Sequence, residues 1–127
     1  KNCSSLTTLN GYLKIQGSEV FRGCSSLTFN RTEGENSFIS GSGITNLTFD
    51  TNTLYYCFEQ CRSLTYADFK YIMLNLNSTL TSLEGCFSGC TGISGSIWRD
   101  FFAACPNLTT IKEAFSGVGL SGIFFSR

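Results

Sequence analysis

The chain has 127 residues, 42% of them hydrophobic and 14% aromatic, which is too apolar for a disordered segment and enough to bury a core as one domain over residues 1–127. Nine Lys and Arg balance nine Asp and Glu, so no net field draws in nucleic acid or an anionic membrane, and no apolar run approaches the ~20 residues needed to span a bilayer. Histidine is absent, which removes Ser-His and Cys-His nucleophile pairs together with the commonest metal ligand.

Read from the start, the chain repeats one short unit: an aromatic, then three residues on a Cys, Gly or Val, then an aliphatic. A half copy, Cys3-Leu6, precedes Phe21-Cys24-Leu27, Phe38-Gly41-Ile44, Phe58-Cys61-Leu64, Phe87-Cys90-Ile93, Phe102-Cys105-Leu108 and a degraded Phe115-Val118-Leu120. Short Leu-Thr segments follow or flank these copies at Leu6-Thr7, Leu27-Thr28-Phe29, Leu47-Thr48-Phe49, Leu64-Thr65-Tyr66, Leu80-Thr81 and Leu108-Thr109. Their β-branched and aromatic residues, with near-alternating apolarity, predict short strands. Residues 30–37 break the spacing as an insertion. Residues 68–77 and 98–104 predict longer excursions with Asp68 and Asp100 as helix caps. The segments 84–90, 100–105 and 112–117 have the length of one or two helical turns, Phe and Cys falling at i and i+3. The glycines after Phe-Ser, Gly89 and Gly117, suit a left-handed helix end. Leu120-Ser-Gly-Ile-Phe124 begins a unit like Ile93-Ser-Gly-Ser-Ile97, and neighbouring coils or partner subunits are expected at both ends of what reads as a fragment of a longer chain or array.

Residues 61–90 align with 90–118 at a period of 28 or 29: Cys61 over Cys90, Phe69 over Trp98, Leu80 and Leu83 over Leu108 and Ile111, Phe87-Ser-Gly over Phe115-Ser-Gly. That period lies within the range of leucine-rich repeats. The expected fold is therefore a solenoid, with short parallel strands on one face and short helical turns or loops on the other, each coil stabilised by its neighbours. Five of the seven cysteines (Cys3, Cys24, Cys61, Cys90, Cys105) share one repeat position, which Gly41 and Val118 also fill. A packing slot tolerates that exchange and a disulfide framework does not, so most of these thiols are expected to be reduced and buried. The slot cysteines are expected in the core with Phe21, Phe58, Phe87 and Phe115.

The motif Phe-x-Gly-Cys-x-x-Leu-Thr-x-Leu resembles the BspA-type branch of the leucine-rich repeats, known from bacterial surface proteins and from similar arrays on gut phages. The best match is 100–111 followed by Ala114-Phe-Ser-Gly117. The resemblance is strong over about residues 54–122 and weaker before. It implies a parallel solenoid, an extracellular, cell-surface or virion-surface setting and a role in adhesion or recognition. It brings no catalytic residues.

The residues themselves offer little chemistry. Cys57-x-x-x-Cys61 and Cys86-x-x-x-Cys90 gather four thiols that zinc could use, but Cys61 and Cys90 are slot residues, so the packing reading is preferred and neither metal nor cofactor is expected. A Cys57–Cys86 disulfide between adjacent coils is the lesser alternative to free thiols. No carboxylate pair and no phosphate loop stands out, and the expectation is not an enzyme. The sequons at Asn2, Asn30, Asn46, Asn77 and Asn107 arise largely from the repeat. Parallel coils would bring Thr28, Thr48, Thr65, Thr81 and Thr109 into one outward row, and Tyr55, Tyr56, Tyr66 and Tyr71 supply aromatics with a polar edge beside it. Tyr66 and one of Tyr55 and Tyr56 have a core-filling reading as well. The expected partners are a protein or glycan on a host or neighbouring surface, with no nucleic acid and no membrane insertion. The alternatives are a structural or assembly element of a fibre, tail or capsid, and a eukaryotic BspA-like surface glycoprotein.

Overall fold

A computed structural model describes residues 3–7, 11–29, 44–96, 102 and 105–121. Four stretches of chain, 11–29, 44–65, 76–96 and 105–121, lie on one another as tiers, with a single described helix inserted between the second and third. The elements in chain order are β1 (Gly11–Ile15), β2 (Ile44–Phe49), α1 (Tyr66–Leu74), β3 (Ser94–Ser96) and β4 (Gly119–Ser121).

All described strand pairing is parallel. β1 pairs with β2, with a register shift between Gly11 and Tyr12, and β3 pairs with β4. Between these small sheets single parallel bridges join Thr53 to Ser82 and Ser82 to Thr110. The long contact between tiers is made by the Phe-x-x-Cys segments. Amides of Glu19, Phe21 and Gly23 donate to carbonyls of Tyr55, Cys57 and Glu59, those of Tyr56, Phe58 and Gln60 to Glu84, Cys86 and Ser88, and those of Gly85, Phe87 and Gly89 to Lys112, Ala114 and Ser116, all at 2.7–3.0 Å. Every second amide thus points to the next tier, the pattern of a parallel sheet.

Of the segments expected as helical turns, 84–90 and 112–117 belong to this ladder and are not helices, and 100–105 lies mostly outside the described residues. Inside each ladder segment, i to i+3 bonds such as Cys61 N–H to the Phe58 carbonyl alternate with residues in the left-handed region. Two residues before each Phe stand Glu19 (φ 57°), Tyr56 (φ 52°), Gly85 (φ 65°) and Glu113 (φ 57°); two residues after stand Gly23 (φ 76°), Gln60 (φ 64°), Gly89 (φ 76°) and Gly117 (φ 81°). In the first three tiers the left-handed residue's own amide donates to the neighbouring tier, while the amide after Tyr56, Gln60, Gly85 or Gly89 closes an i to i+3 turn. A non-glycine residue there costs about 1–2 kcal/mol, and the ladder on both sides holds it in place.

Inside the turns the rings of Phe21, Phe58, Phe87 and Phe115 form a column. Successive pairs are stacked at 5.7, 5.5 and 6.0 Å with interplanar angles of 17°, 4° and 7°. Phe29 meets Phe58 edge-on, and Phe69 of α1 meets Phe87 and Phe115 edge-on. Phe21, Phe58 and Phe87 are buried as expected from the repeat, whereas Phe115 is half-buried because no described tier covers its outer side. The slot cysteines Cys24, Cys61, Cys90 and Cys105 are buried, Cys3 is exposed, and all seven cysteines are free thiols.

The slot has a bonding role beyond its size. The Cys61 thiol donates to the Phe21 carbonyl at 3.0 Å and the Cys90 thiol to the Phe58 carbonyl at 2.9 Å, so these two slot cysteines reach back to the preceding tier's Phe, while the Cys105 thiol is directed at the Asn77 carbonyl. α1 begins at a capping box. The Thr65 hydroxyl accepts from the Asp68 amide and the Asp68 carboxylate accepts from the Thr65 amide, which places Asp68 at the third helical position and gives the cap to Thr65. Asp68 is fully buried and also accepts the Thr28 hydroxyl at 3.0 Å, tying the helix start to the first tier.

Candidate outward recognition face

The threonines expected in one row divide between the two flanks of the turn ladder. Thr28 and Thr65 follow the turn and converge on Asp68. Thr81 and Thr109 precede it and lie in adjacent tiers, their hydroxyls donating to the carbonyls of Asn52 and Thr81, each at 3.1 Å. Thr48 sits in β2 opposite Lys14. The division arises because Leu-Thr occurs in two different halves of each period, and three residues, 49–51, separate Thr48 from Asn52, which joins the row of Thr81 and Thr109.

The tyrosines also part company. Tyr56 lies flat along the ladder over Gly85, where an added Cβ would come within 2.1 Å of its ring. The Arg22 guanidinium covers it at 5.2 Å, and its hydroxyl donates to Glu84 at 3.4 Å. Lost hydration, then the negative charges of Glu84 and Glu113, push its phenol up. Arg22 is engaged by Glu19 and Glu59, and the Glu19 hydrogen bond is the main cause holding its guanidinium above the ordinary value. Tyr66 covers Gly95 in the same manner, its hydroxyl donating to the Ser96 carbonyl. Tyr71 packs half-buried against the core. Of the expected aromatics only Tyr55, 40% exposed, presents itself to solvent.

Among the described residues the most exposed ring is Tyr12, which the repeat pattern did not single out. It is 62% exposed on β1, with Asn46 of β2 as its cross-strand partner. Its hydroxyl is 3.4 Å from the Thr48 hydroxyl, the residue diagonal to it. Lys14, outward on the same strand, pairs with Asp50 at 3.7 Å. The signal was the alternation Tyr12-Leu13-Lys14-Ile15, polar-edged residues out and aliphatics in, at strand period. The site therefore comprises one exposed ring, one amide, one hydroxyl and a mutually neutralised ion pair on a two-stranded platform.

Burial pushes the Cys57 and Cys90 thiols up to about 12 and those of Cys61 and Cys86 well up, which keeps them protonated at neutral pH. Among the described residues no group of three or more Cys, Asp or Glu side chains is arranged to hold an ion. A cleft of about 350 Å³ opens beside the fourth tier, lined by Phe102, Leu108, Thr109, Thr110, Ile111 and Lys112. One of the sequons is closed: Asn77 Nδ2 donates to the carbonyls of Phe49 and Thr51 at 3.2 and 3.1 Å. Asn46 is exposed.

Comparison with protein-family models, with curated proteins and with solved structures finds no match to this chain.

Proposed function

We propose that this chain is a non-catalytic recognition module, built as a leucine-rich-repeat solenoid and carried by a bacterial surface or phage virion protein, where it contacts a host protein or glycan. The carrying observation is the tiered backbone ladder, which fixes outward side chains on a rigid frame and leaves Tyr12 and Tyr55 facing solvent. A preorganised surface loses little freedom on binding, and an aromatic with a polar edge gives area and direction together. The sequence pattern and the surface-protein resemblance agree with an extracellular setting.

A second reading, an assembly element, is favoured by one feature. The fourth tier leaves Ile111, Phe115, Val118 and Leu120 half-exposed, a partly apolar surface on which a further tier or subunit would continue the stack. The two readings separate experimentally. Saturable binding of the purified chain to immobilised glycans or to a purified host surface protein, lost on Tyr12→Ala with Tyr55→Ala, is the expected result. A chain that binds none of these but self-associates through its fourth tier, and returns to monomer on Val118→Lys, would replace recognition by assembly.

A further inference from the structure

We propose that the outward face of β1 and β2 is a saccharide subsite for a neutral pyranose, with Tyr12 as the stacking platform and Asn46, Thr48, Lys14 and Asp50 as its polar rim. The inference rests on the recognition reading above and names the ligand class and residues.

The geometry begins with Tyr12. A tyrosine standing upright on a sheet keeps its hydroxyl away from its neighbours. Here the hydroxyl comes to 3.4 Å from the Thr48 hydroxyl on the adjacent strand, so the ring leans across the sheet and turns one face to solvent. With 62% of the residue exposed, that face is available for the axial C–H groups of a sugar ring. Around it lie groups that pair with vicinal sugar hydroxyls: the Asn46 amide, which both donates and accepts, the Thr48 hydroxyl, the Asp50 carboxylate as acceptor and the Lys14 ammonium as donor. β1 alternates Tyr12 and Lys14 outward with Leu13 and buried Ile15 inward, and Leu47 and Phe49 of β2 are buried beneath, so the platform is anchored in the core.

Charge decides between neutral and acidic sugars. Lys14 is paired with Asp50 at 3.7 Å, so the patch holds no spare cation for a sialic or uronic carboxylate. Size and polarity decide against a protein partner as the occupant. A stable protein interface buries about 800 Å² on each side around an apolar centre. Of the exposed large hydrophobics among the described residues, Tyr12, Val20, Tyr55 and Leu74, only Tyr12 lies on this sheet; Val20 and Tyr55 belong to the turn ladder and Leu74 ends α1. One ring within a polar rim is the scale of a single sugar.

The test uses chain produced in a bacterial host, which leaves the Asn46 sequon bare. Hexose- and N-acetylhexosamine-terminated neutral oligosaccharides, and sialylated counterparts, are printed as an array, and the hits are titrated by calorimetry. Tyr12→Ala should weaken binding of the neutral hits by about tenfold or more, with Tyr12→Trp retaining it and Asp50→Asn intermediate. Leu74→Ala, on α1 and outside the proposed site, should leave it unchanged. Thermal melts of each variant check folding, and all three substituted side chains are exposed. Neutral-glycan binding equal in wild type and Tyr12→Ala overturns the subsite, as does a Tyr12-dependent preference for sialylated glycans. No glycan binding together with saturable binding to a purified host surface protein also overturns it while leaving the recognition reading standing. If neither ligand class binds, both fall.

Discussion

Where a large side chain of one tier lies on the next, the next tier supplies a glycine. Tyr56 over Gly85 and Tyr66 over Gly95 are each separated by 29 residues, the repeat period itself. Gly85 is doubly constrained, by φ 65° and by the ring only 2.1 Å from where a Cβ would stand. Gly85→Ala should therefore destabilise the chain by about 2 kcal/mol or more, combining the left-handed penalty with displacement of the ring and its Arg22 and Glu84 partners. Combining it with Tyr56→Ala should recover the steric part, so the pair is expected to be non-additive by about 1 kcal/mol in urea titrations. Additive losses would show that the ring does not constrain Gly85.

The element that organises the stack is the turn, not a strand or helix. Each turn carries an inward Phe, a slot residue that is Cys in the first three and Val118 in the fourth, and two left-handed residues, and it exchanges backbone hydrogen bonds with its neighbours as a parallel strand does. The phenylalanine column sits behind this ladder, and position within it should set the cost of truncation. Phe87 is fully buried, stacked on Phe58 and Phe115 and met edge-on by Phe69, so Phe87→Ala should cost about 3–5 kcal/mol. Phe115, half-buried at the described end of the column, should cost less than Phe87 under the same denaturation. Equal losses would mean that an additional layer covers Phe115 in solution.

At the scale of the whole molecule, the buried thiols tie stability to alkaline pH. Burial raises the folded-state values of Cys57 and Cys90 from 9.0 to about 12 and of Cys105 to about 11. The folded state thus holds these protons more tightly than the unfolded chain does. Their contribution is fully present below pH 9 and is lost progressively as pH rises through the folded values. Each thiol contributes a slope of up to about 1.4 kcal/mol per pH unit within that window. Urea unfolding at pH 8, 9, 10 and 11 should show a steeper alkaline loss for the wild type than for Cys57→Ala. Parallel curves would mean that Cys57 is ionised in the folded chain.

How far this was legible in the sequence depended on the range of the forces involved. The recurrence of Phe-x-x-Cys-x-x-Leu by itself determined which side chains enter the core, because burial follows from an inward-facing repeat whatever the local backbone does: Phe21, Phe58, Phe87, Cys24, Cys61 and Cys90 are all buried. It also pointed to a helical excursion at 68–77 capped by Asp68; the helix spans Tyr66–Leu74 and its cap is Thr65, with Asp68 closing the capping box from the third helical position. What only the tertiary structure decided was the conformation of the turns and the composition of the outward face. A Phe-Cys spacing of three suits a helical turn locally, and only the carbonyls of the adjoining tier, which accept from the left-handed residues' amides, reward the break in the helix. Likewise the threonines follow the same dipeptide but occupy different rows, because the lengths of intervening chain, invisible to a motif, set which tier and flank each one reaches. Tyr12 gained its neighbours Asn46 and Thr48 through a strand pairing more than thirty residues apart in sequence, and such long-range register is settled by packing alone.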